Sequence, residues 1–181
     1  MSTQDIPYNA TADETRYWVC LMRHGIAVSR GSGGFANDAK RPLTPTGRRK
    51  MKEITVGLSR LGFTPDWIVT SPLVRAVETA EIVRQTQAGV SLDRCEALRP
   101  GGSPDALVSF LAERPDCKRV LLVGHEPDLS ALAARFLGGG RHANLGFKKG
   151  GCCLIGFDEF PSRSPGQLLR WLTPRDLRKL A

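Results

Sequence analysis

The stretch that decides the fold is RVLLVGHEPDLSALAARFL, residues 119–137. Val120 to Val123 is an unbroken apolar run of the kind that forms a strand buried on both faces. Gly124 and His125 end it, and Pro127, a residue suited to a first helical turn, opens a helix to about Leu137. A doubly buried strand that feeds a helix is the building block of an α/β protein.

Two further stretches repeat the pattern. Tyr17 to Met22 is an apolar run ending in Arg23, His24 and Gly25. Trp67 to Thr70 is another, stopped by Ser71 and Pro72; Ser71 reads as an N-cap and Pro72 as the first turn of a helix to about Gln85. From Gly47, the residues Met51, Ile54, Leu58 and Leu61 recur at helical spacing, with Gly62 as the C-terminal signal. Ser103 and Pro104 start another helix with Leu107, Phe110 and Leu111 inward, and Val90 to Leu98 is a strand candidate. Strands at Cys152 to Phe157 and Gln167 to Leu172 and a short helix from about Pro174 complete the chain. Alternating strands and helices predict a single-domain three-layer α/β/α sandwich with a mostly parallel sheet. The domain is expected over residues 16–181, behind a flexible leader of residues 1–15. Residues 27–38, rich in glycine, read as a mobile loop that borders a site.

Composition narrows the class. A chain of 181 residues suits one hydrophobic core, and no apolar run approaches the ~20 residues that cross a bilayer. The net charge is +8, and 19 arginines stand against 7 lysines. Arginine's planar fork of donors matches phosphate, so the surplus points to anionic partners. The five cysteines show no CxxC spacing, so neither a disulfide framework nor a zinc site is expected. The polar N-terminus does not read as a secretory signal, and a cytoplasmic protein is the expectation.

In open α/β sheets, ligands sit at the carboxyl ends of the strands. Here three strand ends read LMRHG, TSPLVRA and LVGHEP, bringing Arg23, His24, Arg75 and His125 toward one crevice. Charged groups at such positions need partners, because burying them unpaired is costly.

LMRHG at 21–25, PLTPTG at 42–47, SPLVRAVETA at 71–80 and VGHEPDLS at 123–130 resemble, in that order, the motifs of the histidine phosphatase, or phosphoglycerate mutase-like, superfamily. Within it, RHGIA, DAKRPL at 38–43, GHEPDLS and FKKGG at 147–151 are most similar to the small SixA-type phosphohistidine phosphatases. The resemblance implies a phosphoglycerate mutase-like fold and a metal-independent phosphatase with no cofactor. His24 would be the nucleophile, and Gly25 would let the phosphate approach. Arg23, Arg75 and His125 would donate to the phosphoryl oxygens. Glu126, beside His125, reads either as the acid for the leaving group or as a cap of the helix at Pro127. Asp38 and Arg41 read as a structural pair or as the border of a substrate site, and His142 as a surface histidine. The expected substrate is a phosphorylated protein, such as a phosphohistidine domain, or a small phosphorylated metabolite. A broad phosphomonoesterase and a non-catalytic phosphate-binding module are the alternatives.

The remaining charge is concentrated in two places. Residues 47–61 carry Arg48, Arg49, Lys50, Lys52 and Arg60 against Glu53, and the C-terminal stretch carries Arg170, Arg175, Arg178 and Lys179 against Asp176. Neither run interleaves aromatics with its basic residues, so nucleic acid is not the expected partner. Both read as solvated basic faces.

Overall fold

Each of the apolar runs at 17–22, 67–70 and 120–123 forms a strand, and the three lie side by side. The computed structural model describes residues 17–31, 35, 37–87, 89–139, 145–162 and 164–181. The expected leader, part of the 27–38 loop and His142 lie outside the described residues.

In chain order the elements are β1 (Tyr17–Arg23), α1 (Pro45–Arg60), β2 (Trp67–Thr70), α2 (Val74–Gln85), β3 (Ser91–Arg94), α3 (Pro104–Ala112), β4 (Arg119–Gly124), α4 (Asp128–Phe136), β5 (Cys152–Phe157), β6 (Gln167–Leu172) and α5 (Pro174–Lys179). The sheet order is β3-β2-β4-β1-β5-β6. Strands β3, β2, β4 and β1 pair in parallel, whereas β5 is antiparallel to β1 and β6 is antiparallel to β5. The expected mostly parallel sheet is therefore a mixed one, with β5 reversed. The 158–166 connection explains one of these pairings, because a parallel return needs a crossover of a dozen or more residues.

Capping chemistry accounts for the helix boundaries, and it corrects two of the expectations. Helix α1 starts at Pro45 rather than Gly47, because the Thr44 hydroxyl accepts from the Gly47 N–H. Helix α2 starts at Val74 rather than Pro72, with Leu73 at the N-cap and no side-chain cap. Ser71 is instead engaged elsewhere, as described below. The strand expected over 90–98 is the shorter β3 followed by a 3-10 turn at Glu96–Leu98. The C-terminal α5 carries a capping box between Thr173 and Asp176.

Strand alternation sends β1 side chains to two cores. Val19 and Leu21 pack with Leu107 and Leu111 of α3 and Leu129 and Leu132 of α4. Cys20 and Met22 pack with Met51, Ile54 and Leu58 of α1, Ala76 and Ala80 of α2, and Leu177 of α5. All five cysteines are buried free thiols. Among the described residues no helix is long and apolar enough to cross a membrane.

Gly57 marks the closest approach of α1 to α5, where an added Cβ would stand 1.9 Å from the Leu177 carbonyl oxygen. Gly57→Ala is expected to lower stability by about 1–3 kcal/mol through overpacking, seen as a lower urea midpoint. An unchanged midpoint would mean that α5 does not hold this position in solution.

Candidate active site

Strand register builds the site before any side chain does. Arg23 at the end of β1 is paired with Gly124 at the end of β4, and Thr70 of β2 with Val123. The ladder continues past both ends, since the His24 N–H donates to the Gly124 carbonyl (3.2 Å) and the Ser71 N–H to the Val123 carbonyl (3.0 Å). His24, Ser71 and His125 are thus held in a row, with the two imidazole centroids 5.1 Å apart.

His24 is buried, and its Nδ1 lies 2.7 Å from the Gly25 carbonyl oxygen. A carbonyl can only accept, so Nδ1 carries the proton and Nε2 keeps its lone pair. The Nε–H of Arg75 reaches that Nε2 at 3.2 Å. Burial lowers the His24 pKa to about 3. The Gly25 hydrogen bond opposes this shift, and the charges of His125, Arg75 and Arg23 add to it. His125 falls to about 4, through burial and then the charges of Arg75 and Arg23, with Asp38 opposing. Both imidazoles are therefore neutral at pH 7.

Arg75 uses each nitrogen of its guanidinium. Beyond His24, it donates to the Asp38 carbonyl (2.8 Å) and to Asp38 Oδ2 (3.1 Å). The same carboxylate accepts from Arg41 through Nε (2.9 Å) and a terminal nitrogen (2.7 Å), and from Arg30 (2.8 Å). Partial burial pushes Asp38 upward, but the Arg41 hydrogen bonds, the Arg75 charge and Arg30 outweigh it and hold the carboxyl down to about 2. Asp38 and Arg41 thus form a structural pair, and Arg41 also lines the cavity described below. Glu78, a conceivable partner for Arg75 one turn along α2, instead pairs with Arg48 and accepts from the Leu43 N–H.

Arg23 donates to the Phe147 carbonyl at 2.6 Å, and its buried Nε has no partner. His125 Nε2 lies 2.8 Å from the Ser71 hydroxyl, while its Nδ1 is buried without a partner. Unmet buried polar atoms cost about 1–3 kcal/mol each, and two of them share this site. Glu126 Oε1 accepts from the Phe147 N–H (2.7 Å), and Oε2 lies 2.7 Å from the Ser130 hydroxyl, which also contacts the Leu145 carbonyl. These groups border a cavity of about 390 Å3, lined by Arg23, His24, Arg30, Arg41, Arg75, His125, Glu126 and Lys149 together with Ala27 and Val28. Among the described residues no three His, Cys, Asp or Glu side chains are grouped as metal ligands.

The Gly25 N–H donates to Thr79 Oγ1 at 3.0 Å, and an added Cβ would stand 2.7 Å from Met51 Cγ, so a glycine here admits the close approach of α1. Sequence reasoning missed Ser71 as the partner of His125 and Lys149 as a wall of the cavity. The signal for Ser71 was its place directly after β2, level with His125 after β4.

Residues 19–100 match the model of the histidine phosphatase superfamily, branch 1. An uncharacterised protein of Picosynechococcus sp. is 40% identical over 136 residues, which is 72% of this chain and 79% of that protein. The fold is similar to that of the protein histidine phosphatase SixA complexed with tungstate, with a TM-score of 0.76, 23% identity and coverage of 88% of this chain and 99% of the other. A structure from Agrobacterium tumefaciens assigned as a phosphohistidine phosphatase SixA gives a TM-score of 0.72, 23% identity and coverage of 87% and 98%. At such identities the likeness is one of fold.

Two consequences of the depressed histidine pKa values are measurable. In histidine NMR titrations of the folded protein, His24 and His125 are expected to stay neutral down to pH 6, with midpoints below 5; a midpoint near 6.5 for either contradicts the burial described. Below 6.5 the unfolded chain binds protons that the folded chain refuses. Stability from these two groups is therefore full above pH 6.5 and falls as the pH drops from there toward 4.

Proposed function

The chain belongs to the histidine phosphatase superfamily and is a phosphatase; from that premise we propose that it works through a phosphohistidine intermediate on His24, without a metal, and that its substrate is a phosphohistidine protein. The observation that carries the mechanism is the lone pair on His24 Nε2, kept unprotonated by burial and by the proton fixed on Nδ1. The two cores on opposite faces of the sheet favour the three-layer α/β/α arrangement of that family.

In the first step, His24 Nε2 gives its lone pair to phosphorus as the bond to the leaving group breaks, and the leaving group departs with that bonding pair and takes a proton from solvent. In the second, water attacks phosphorus and returns one proton to solvent, the P–N bond breaks, its pair returns to Nε2 and inorganic phosphate leaves. Arg75 sits on the attacking atom and Arg23 beside it, so both reach the equatorial oxygens where charge accumulates. The Ser71 oxygen already accepts from the Leu73 N–H at 3.3 Å. Its own proton then goes to His125 Nε2, which leaves Nδ1–H of His125 as a third donor. A neutral His125 donates without adding another cation to the crowded site.

Glu126 bears on the leaving group. Its Oε1 is held by the Phe147 N–H and its Oε2 lies against Ser130, which supports reading it as a tether of the Phe147 segment rather than as the proton donor. A site without a positioned acid favours a leaving group that departs readily once protonated, and the nitrogen of a phosphoramidate does so. Phosphohistidine is a phosphoramidate.

Incubation with labelled phosphoramidate followed by a rapid quench is expected to yield acid-labile, base-stable phosphate on His24, and His24→Ala is expected to lose both label and turnover. Absence of label on the native protein, with turnover intact, would overturn the mechanism. Glu126→Gln separates the phosphohistidine reading from a general phosphomonoesterase. As a tether, Glu126 should cost phosphoramidate and phosphate monoester hydrolysis by the same factor. As the acid, it should cost the monoester alone, by about a hundredfold or more.

A further inference from the structure

The cavity at the strand ends is larger than a phosphoryl group requires and lies within the ~300–1,000 Å3 of small-ligand sites. Beyond the reacting histidine it holds more positive charge than its ion pairs neutralise. Arg30, Arg41 and Arg75 share the one carboxylate of Asp38, and Arg23 donates to the neutral Phe147 carbonyl. The Lys149 ammonium, on the same wall, has no ion pair or side-chain hydrogen bond among the described residues.

The backbone that carries Lys149 is built into the site. Gly151 N–H donates to the Lys148 carbonyl at 2.7 Å, and Gly150 has φ +82°, the value for the third residue of a type II turn. Lys149 is the second residue of that turn and so stands at its tip. The turn is zipped to the end of β1, with Gly150 N–H donating to the Arg23 carbonyl and Arg23 N–H to the Gly151 carbonyl, each at 3.0 Å. Phe147, just before it, is clamped from both sides by Glu126 and Arg23. On the inner side the turn rests on α1, since an added Cβ at Gly150 would stand 2.7 Å from Ile54 Cδ1. A tight, doubly anchored turn thus fixes the backbone of Lys149 on the wall of the cavity that His24 also lines.

The geometry points to Lys149 as a specificity-determining residue that binds a carboxylate carried by the substrate close to its phosphoryl group. This inference rests on the phosphatase reading above and adds the charge of the substrate beyond the group transferred. An ammonium is a compact point charge that accepts a carboxylate from many directions, so it selects charge more than shape. The half-enclosed wall makes that attraction stronger than in open water.

The test compares probes that differ in one carboxylate. Phenyl phosphate and 4-carboxyphenyl phosphate form the small-molecule pair. Two phosphohistidine peptides with Glu or Gln beside the phosphohistidine form the peptide pair, and the pair that responds tells which source of carboxylate the site reads. The ratio of kcat/KM for the charged over the uncharged member is measured in the native protein, Lys149→Met and Lys149→Arg. The expected result is a fall of about tenfold in the ratio for at least one pair in Lys149→Met, largely restored in Lys149→Arg, and weakened by salt. A change of less than threefold in both pairs overturns the inference. If the native protein turns over none of the four probes and takes no label on His24, it is the phosphatase reading that fails instead.

Discussion

Everything at this site depends on the parallel registration of β1, β4 and β2. Backbone hydrogen bonds fix Arg23 against Gly124 and Thr70 against Val123, and the ladder runs on by one more bond on each side, to His24 and Ser71. Side chains alternate along a strand, so a slip of one residue would turn each to the opposite face. The proposed nucleophile His24, the neighbouring imidazole of His125 and the Ser71 hydroxyl beside it therefore share one edge because three buried strands end level with one another. The apolar runs that make those strands owe their stability to two cores, neither of which contains a reacting group.

Electrostatics at that edge is a balance of concentration and neutralisation. Four arginines line the cavity, and their mutual repulsion is relieved by one carboxylate, Asp38, on a 3-10 turn that α2 packs against. Burial keeps both histidines neutral, and the same field that would attract a phosphoryl dianion reinforces it. Outside the cavity the basic charge is partly consumed within the fold. Helices α1 and α5 pack together, and Glu53 accepts ion pairs from Arg49 of α1 and Arg178 of α5. The surplus of +8 is thus divided between a small working set and a surface that steers anions at long range.

Much of this was legible in the chain. Local rules suffice for Ser103 as a cap, for Gly62 just past α1 and for β5 at Cys152–Phe157, because each depends on the residues beside it. The same rules misread Ser71. In isolation Ser-Pro looks like a helix start, but next to β4 the hydroxyl finds His125, and α2 begins two residues later with no side-chain cap. Gly25 carries a contact of the same long-range kind, because the lack of a Cβ there makes room for Met51 of α1, which its sequence neighbours do not reveal.

What the sequence determined by itself was the class of chemistry: two histidines and two arginines at the ends of apolar runs, in an order and spacing shared with one superfamily. Tertiary structure alone decided which atoms do what. The Gly25 carbonyl selects the His24 tautomer, Phe147 and Ser130 occupy Glu126, Asp38 gathers three arginines, and a turn tied to the end of β1 brings Lys149 to the wall. The physical reason is that protonation, orientation and pairing are set by the few atoms within hydrogen-bond distance. The Gly25 carbonyl lies next to His24 in the chain, but Arg75 on Asp38, Phe147 on Glu126 and the Lys149 turn on β1 join segments that sequence keeps apart and only the packed sheet brings together.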